Sequence, residues 1–277
     1  DTKTCPDTGM AGASRSLYMD GNATIIAANK LLAAMRKEDG TLRTYDEMKA
    51  EGIETKYLGR YETNTTPGLC RLDPNTGIGD PTPAFTYCLN LAEVEVDTKT
   101  GKTTVLKFTC VDFVGRIGNI DAVNGQAYSG IMHGIGFALK EDYADVKKHA
   151  NMFGAGTSYI KDVPDDINLI HIDGAISDGP FGSSGASEAF QASGHCAVLN
   201  GIYNACGVRI HEIPALPEKV KAGLDAIAKG EKPYEPKKYF LGSDMYEELE
   251  NIKENPVQVG TQSFYVSLDD PTAERPF

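Results

Sequence analysis

Two alternating runs of apolar residues face each other across a polar turn near the middle of the chain. Leu91, Val94 and Val96 interleave with Glu93 and Glu95, and Val105, Leu106, Phe108, Cys110, Val111 and Phe113 follow the Asp97–Lys102 stretch. The period of two on either side of a glycine-containing turn predicts an antiparallel hairpin over Phe85–Val114, its glutamates leaving one face wet. Elsewhere the period lengthens to three and four. Ala23–Ala28 with Leu31, Leu32 and Met35 predicts a mostly buried helix of about five turns. Ala127, Ile131, Ile135, Ala138 and Leu139 predict a second helix within Asp121–Tyr143. A third runs from Ser187 to Cys206 on Phe190, Val198, Ile202 and their neighbours, stopped by Gly207. Shorter helices are expected at Tyr45–Glu51, at Glu218–Lys229 behind Pro217, and at Asp244–Lys253. Tyr159–Ile160 and Asn168–Ile172 read as short strands.

The chain of 277 residues is 41% hydrophobic, enough to bury a large core in one domain or two lobes. Its charge of 27 − 39 = −12 argues against nucleic acid as a partner, because phosphate binding needs a basic surface. No run of about 18 apolar residues is present to span a membrane, and no secretory leader opens the chain. The start at Asp1 suggests a domain cut from a longer protein, or a processed chain. Six cysteines are scattered without a Cys-x-x-Cys pair. They predict reduced residues of a cytoplasmic protein rather than a zinc or iron–sulfur site.

The densest chemistry lies in Asp178–Glu188, where Gly179, Gly182 and Gly185 alternate with Pro180, Ser183, Ser184 and Ser187 before one acid opens an apolar run. An acid in the first turn of a helix serves the helix dipole, with Gly185 and Glu188 spaced like a capping pair. A carboxylate at the end of a glycine-rich loop also suits a general base. The residues alone leave both readings open. A second small-residue loop, Gly9–Ser16, feeds the first long helix, where unpaired N–H groups would receive an anion or simply make a tight turn. Gln126, placed at the start of the second long helix, offers an amide to a polar ligand or to solvent. Gly130, Gly134 and Gly136 cost that helix roughly 1 kcal/mol each against alanine, which close packing on another element or a ligand would offset. His133, on an apolar face, and His195, about two turns beyond Glu188, read as structural.

Three stretches together resemble the xanthine oxidase family. Gly179-Pro-Phe-Gly-Ser-Ser-Gly-Ala-Ser-Glu188 resembles the loop that ends in that family's catalytic glutamate. Gly125-Gln126 through Gly134-Ile-Gly-Phe-Ala-Leu139 is similar to its glycine–glutamine helix. Pro6-Asp-Thr-Gly9 through Ala13-Ser-Arg-Ser16, then Gly21-Asn-Ala23, resembles its pterin-contacting loop. The likeness covers residues 1 to about 229 and is strongest to the aldehyde-oxidising branch of sulfate-reducing bacteria. Ser184 and Ser187 stand where many members carry Lys and Gly, and His133 where glutamine is frequent.

The resemblance implies an α+β fold, a two-lobed molybdopterin-binding domain with antiparallel or mixed sheets and packed helices. Residues 1–230 would form the C-terminal half of the molybdenum cofactor-binding region, and 231–277 an extended tail with a short helix. It implies molybdopterin cytosine dinucleotide, with the metal held by the pterin dithiolene and by no protein ligand. Ala11, Gly12, Ala13, Ser14, Arg15, Ser16, Gln126 and Ser187 would bind the cofactor. Glu188 would be the base that deprotonates the metal-bound nucleophile as it attacks a small aldehyde. A purine or nicotinate substrate, or a non-catalytic assembly role, is the alternative. The [2Fe–2S] motifs and the glycine–phenylalanine loop of the family are absent, so the remaining half and an iron–sulfur domain or subunit are expected as partners, in a homo-oligomer.

Overall fold

The hairpin forms the centre of a computed structural model that describes residues 3–5, 11–63, 82, 84–145, 147–176 and 178–231. Strands β1 (Tyr87–Val96) and β2 (Thr103–Phe113) pair antiparallel from Tyr87↔Phe113 to Val96↔Thr103. Gly101 makes the turn at φ +77°, and a bulge opposite Glu93/Val94 shifts the register. Helix α3 (Ile120–Leu139) then crosses over to β3 (Asp166–His171), which pairs parallel to β2. The result is a mixed three-stranded sheet in the order β1-β2-β3. With α1 (Ser16–Met35), α2 (Tyr45–Ala50), α4 (Gly194–Cys206) and α5 (Pro217–Ala228), the class is α+β.

The core lies between one sheet face and the pair α3 and α4. Phe108, Cys110 and Val114 meet Ala127, Ile131, Ile135, Phe190 and Val198, all buried. The α3 glycines explain themselves here. A Cβ on Gly130 would lie 2.5 Å from Cβ of Phe190, and one on Gly134 2.9 Å from Cα of Gly194. The helix stability lost to glycine is therefore exchanged for backbone-to-backbone packing. A smaller cluster of Ile202, Val208, Ala215 and Val220 joins α4 to α5.

Several expectations need correction. Tyr159–Ile160 is not a strand: Ile160–Asp162 is a 3₁₀ turn, its entry held by the Tyr159 N–H donating to Asp162 Oδ2 at 2.8 Å. The first helix begins at Ser16 rather than Ala23, and Tyr18 is its only buried residue. Its apolar side chains spread around the cylinder, and the elements that line it are thin: the extended stretch near Leu58 and Gly59, and the turn at Pro180–Gly182. The third predicted helix starts late. Ser187–Ser193 is a series of turns with three-residue bonds, such as Gln191 N–H to Glu188 O at 3.2 Å, and regular α-helix starts only at Gly194. Gly207 closes it at φ +76°, as the pattern required.

The described residues up to 231 belong to one compact unit. The expected helix at Asp244–Lys253 and the Pro6–Gly9 part of the small-residue loop lie outside the described residues. No described helix is long and apolar enough to cross a membrane.

Candidate functional site

Two loops 174 residues apart in sequence are joined by one hydroxyl. Ser14 Oγ lies 3.0 Å from Glu188 Oε2, 3.0 Å from the Glu188 amide nitrogen and 2.9 Å from Ser187 Oγ. Ser14 has one proton to give. The carboxylate accepts only, so the Ser14 hydroxyl donates to Oε2 and accepts from both the Glu188 N–H and the Ser187 hydroxyl. The carboxylate is thus oriented by a relay from Ser187 through Ser14.

Unusual backbone makes this contact possible. Ala13 and Ser14 both sit at φ +54°, the left-handed region, which costs about 1–3 kcal/mol per residue and persists only where the surroundings enforce it. Gly185 is required opposite them, because a Cβ there would lie 1.5 Å from the Ser14 carbonyl oxygen. The Glu188 loop is in turn stapled to the end of β2. The Arg116 N–H donates to Gly182 O at 2.8 Å, the Ser184 N–H to Val114 O at 3.2 Å, and the Ser183 hydroxyl to Arg116 O at 2.6 Å. Asn22 on α1 reaches over it, its amide donating to Asp178 O at 2.9 Å.

Between these loops and α3 lies a cleft of about 470 Å³. Ala11, Gly12, Ser14, Arg15, Ser16, Gln126, Ser187 and Glu188 all line it. Of the site residues named from sequence, Ala13 alone does not. Leu17, Ala122 and Val123 line it too and were not anticipated. Gln126 stands on the second turn of α3 rather than at its start, which Asn119 caps by accepting from the Ala122 N–H at 3.0 Å. It is exposed, as is Glu188.

The donor set suits an anionic, polar cofactor. The first turn of α1 opens into the cleft, holds no acidic residue, and has N–H groups without acceptors inside the helix. Arg15 supplies positive charge, Ser16 and Ser187 hydroxyls, and Gln126 an amide. Among the described residues no group of three or more His, Cys, Asp or Glu is arranged to hold a metal ion.

The histidines fall elsewhere. His133 stacks on Phe137 with ring centroids 6.3 Å apart. His195 lies in the first turn of α4, its Nδ1 buried without a partner among the described residues. His171 belongs to a network that the sequence reading passed over. Its Nδ1 lies 2.7 Å from Asp112 Oδ2 and its Nε2 2.7 Å from Asn124 Oδ1, tying β2, β3 and α3 together two residues before Gln126. Burial pushes the Asp112 carboxyl above its ordinary value, and the hydrogen bond from His171 opposes that shift. A signal was present: Asp112 occupies an inward position in the series Phe108, Cys110, Asp112, Val114.

Comparison with known proteins identifies the family and the fold. The molybdopterin cofactor-binding domain family matches residues 1–164. An aldehyde oxidoreductase of Megalodesulfovibrio gigas is 43% identical over 226 residues, covering 82% of this chain and 25% of that protein. A solved aldehyde oxidoreductase from Desulfovibrio gigas superposes with a TM-score of 0.77 at 43% identity, over 81% of this chain and 24% of that one. Another, from Desulfovibrio desulfuricans, gives 0.73 at 44% identity, over 79% and 24%. The chain thus spans about a quarter of the length of these relatives.

Proposed function

The chain belongs to the molybdopterin cofactor-binding domain family, within the molybdopterin-binding region of the xanthine oxidase family, and from that premise we propose that it supplies one wall of the cofactor site of an aldehyde-oxidising molybdenum hydroxylase, with Glu188 as the catalytic base. The observation that carries this reading is the hydrogen bond at 3.0 Å between Ser14, on the cofactor loop, and the Glu188 carboxylate. It sets the acid at the edge of the same cleft that Arg15, Ser16 and Gln126 line.

When bound, the molybdenum cofactor supplies the two-electron oxidation of the substrate carbon, with oxygen drawn from water. The chain's own residues do the rest. The α1 N-terminus, Arg15 and Ser16 hold the anionic part of the cofactor through N–H groups, charge and hydroxyl. Gln126 donates from its amide to the pterin side. Ser14 donates to Oε2 of Glu188, which leaves Oε1 the less encumbered oxygen to take the proton. Because Ser14 also receives the Glu188 N–H, the carboxylate is fixed at both its head and its backbone, which spares reorganisation during the transfer.

Further parts of the reading extend beyond this chain. The cofactor is the cytosine dinucleotide form, and a remaining half of the molybdenum-binding region with an iron–sulfur domain or subunit completes the enzyme. The proposed setting is cytoplasmic, which six cysteines scattered through a long chain without paired spacing support.

The test is Glu188→Gln in the complete protein. The variant is expected to hold molybdenum and pterin as the parent does and to lose aldehyde oxidation by 100-fold or more, the usual cost of losing a positioned base being about 10²–10⁴. Retention of more than about a tenth of the rate removes Glu188 from the chemistry. Elemental analysis of the same preparation, with chromatography of the released nucleotide, checks the cofactor. Absence of molybdenum from the complete protein refutes the reading.

A further inference from the structure

One wall of the cleft has little of its own to fix it. Ala122, Val123 and Gln126 line the cleft from the first two turns of α3. No residue from Ile120 to Gln126 is buried, and Ala127 is the first on the helix that is. Val123 packs only in part against the core, and a Cβ on Gly125 would meet nothing within 4 Å. Among the described residues, one side-chain hydrogen bond joins this segment to another element: Asn124 Oδ1 lies 2.7 Å from His171 Nε2. A helix end with so few buried contacts opens locally unless it is tied down.

His171 is a rigid place to tie it. The register of β3 sets it beside Asp112 of β2, and the Ile172 N–H donates to Asp112 O at 2.7 Å. The ring Nδ1 lies 2.7 Å from Asp112 Oδ2. The Asp112 side chain is fully buried, and its Oδ1 has no partner among the described residues. A ring that swung away would leave a buried carboxylate without any hydrogen bond, the most unfavourable state for a charge. The ring is therefore locked from below. Carboxylate and amide oxygens only accept, so both ring nitrogens donate, and the imidazolium is the countercharge of Asp112. Its two bonds leave opposite edges of one planar ring, so the place of Asn124 follows from that of the sheet.

We propose that His171 is a positioning residue for the cofactor cleft: locked on Asp112, it fixes through Asn124 the α3 wall that presents Gln126. What the cleft receives rests on the functional reading above. His171 does not itself line the cleft and acts only through α3. Gln126 stands two residues beyond Asn124, about 3 Å along the helix axis, so a shift at Asn124 carries directly to the amide.

The experiment compares three variants of the complete protein by hydrogen–deuterium exchange of Ile120–Gln126, by denaturant midpoint, and by the rate at which bound pterin is released on dilution. Asn124→Ala removes the acceptor at the exposed end and leaves the Asp112–His171 pair intact. It is expected to speed exchange of the segment and release of pterin about tenfold, the worth of one hydrogen bond to a charged group, with β2, β3 and the midpoint unchanged. His171→Asn keeps a donor near Nδ1 for Asp112 but cannot reach Asn124, and is expected to match it. Asn124→Asp keeps an acceptor for Nε2 and is expected to behave as the parent, a rescue that a general loss of stability would not show. The Asn124 pair decides the matter even where His171→Asn does not fold. Unchanged exchange in Asn124→Ala overturns the proposal, as does faster exchange with parent-like pterin release. So does an equal loss in Asn124→Asp. A complete protein that binds no molybdenum removes the functional reading alone. Localised loosening of Ile120–Gln126 in Asn124→Ala then still upholds the clamp, and its absence still overturns it.

Discussion

Gly185→Ala tests the junction of the two loops with a single methyl group. The added Cβ would lie 1.5 Å from the Ser14 carbonyl oxygen, 2.6 Å from the Ser14 carbonyl carbon and 3.0 Å from its Cβ. Ordinary van der Waals contact begins near 3.4 Å, so the loops must separate by about 2 Å, roughly the 1.9 Å between 3.4 and 1.5. The obstacle is backbone, and no rotamer change relieves it. The three Ser14 bonds at 2.9–3.0 Å cannot survive that separation. Overpacking of this kind costs about 1–3 kcal/mol. The larger effect is on catalysis, since misplacing a reacting group by about 1 Å costs on the order of 100-fold. The assay is aldehyde oxidation per bound molybdenum in the complete protein. A fall of 100-fold or more, with or without lowered molybdenum content, is expected. Parent-like turnover and full cofactor would show that the Ser14–Gly185 approach is not part of the working site.

Smaller changes probe the same frame. Ser14→Ala keeps the left-handed turn but removes the Oε2 donor, and is expected to lower turnover about tenfold, the worth of one hydrogen bond to a charged group, with pterin content unchanged. Ser16→Trp should instead lower bound pterin, measured after release from the complete protein. Phe190→Ala removes a fully buried ring beneath Gly130 and should cost about 3–5 kcal/mol in denaturant unfolding. Helix α2 carries a pH signature. The Lys37 ammonium and the Thr44 N–H hold Glu47 down at about 2 against an ordinary 4.5. A depressed acid stabilises above its unfolded value, so hydrogen-exchange protection of Met48 should be full above pH 4.5 and fade as pH falls toward 2. Glu47→Gln should remove that fading.

The hairpin was legible because its period of two is unambiguous and Gly101 marks the turn. Glycines in α3 announced close packing before any partner was visible, and the structure supplied the partner at Phe190 and Gly194. The failures have separate causes. The apolar residues of α1 predict a mostly buried helix, yet Tyr18 alone is buried on it, because little among the described residues packs against the rest. Tyr159–Ile160 failed for a local reason. Two β-favouring residues were outweighed by Asp162, whose carboxylate takes the Tyr159 N–H and closes a 3₁₀ turn.

The site divides along the same line. Its members were legible loop by loop, since glycine, serine and one acid at close spacing carry chemistry wherever they fold. Their connection was not, because the bond from Ser14 to Glu188 spans 174 residues and depends on two left-handed backbone positions that no period encodes. The misplaced helix start matters for the same reason. In a first α-helical turn, Glu188 would have been held by the helix dipole and turned toward its own backbone. In the turns of Ser187–Ser193 its N–H is given to Ser14 rather than to a helical or capping acceptor. The carboxylate's orientation is therefore set by the Gly12–Ser16 loop. Under the function proposed above, cofactor binding at that loop and alignment of Glu188 are one event, and a variant that opens the left-handed turn at Ala13–Ser14 is expected to lose both together.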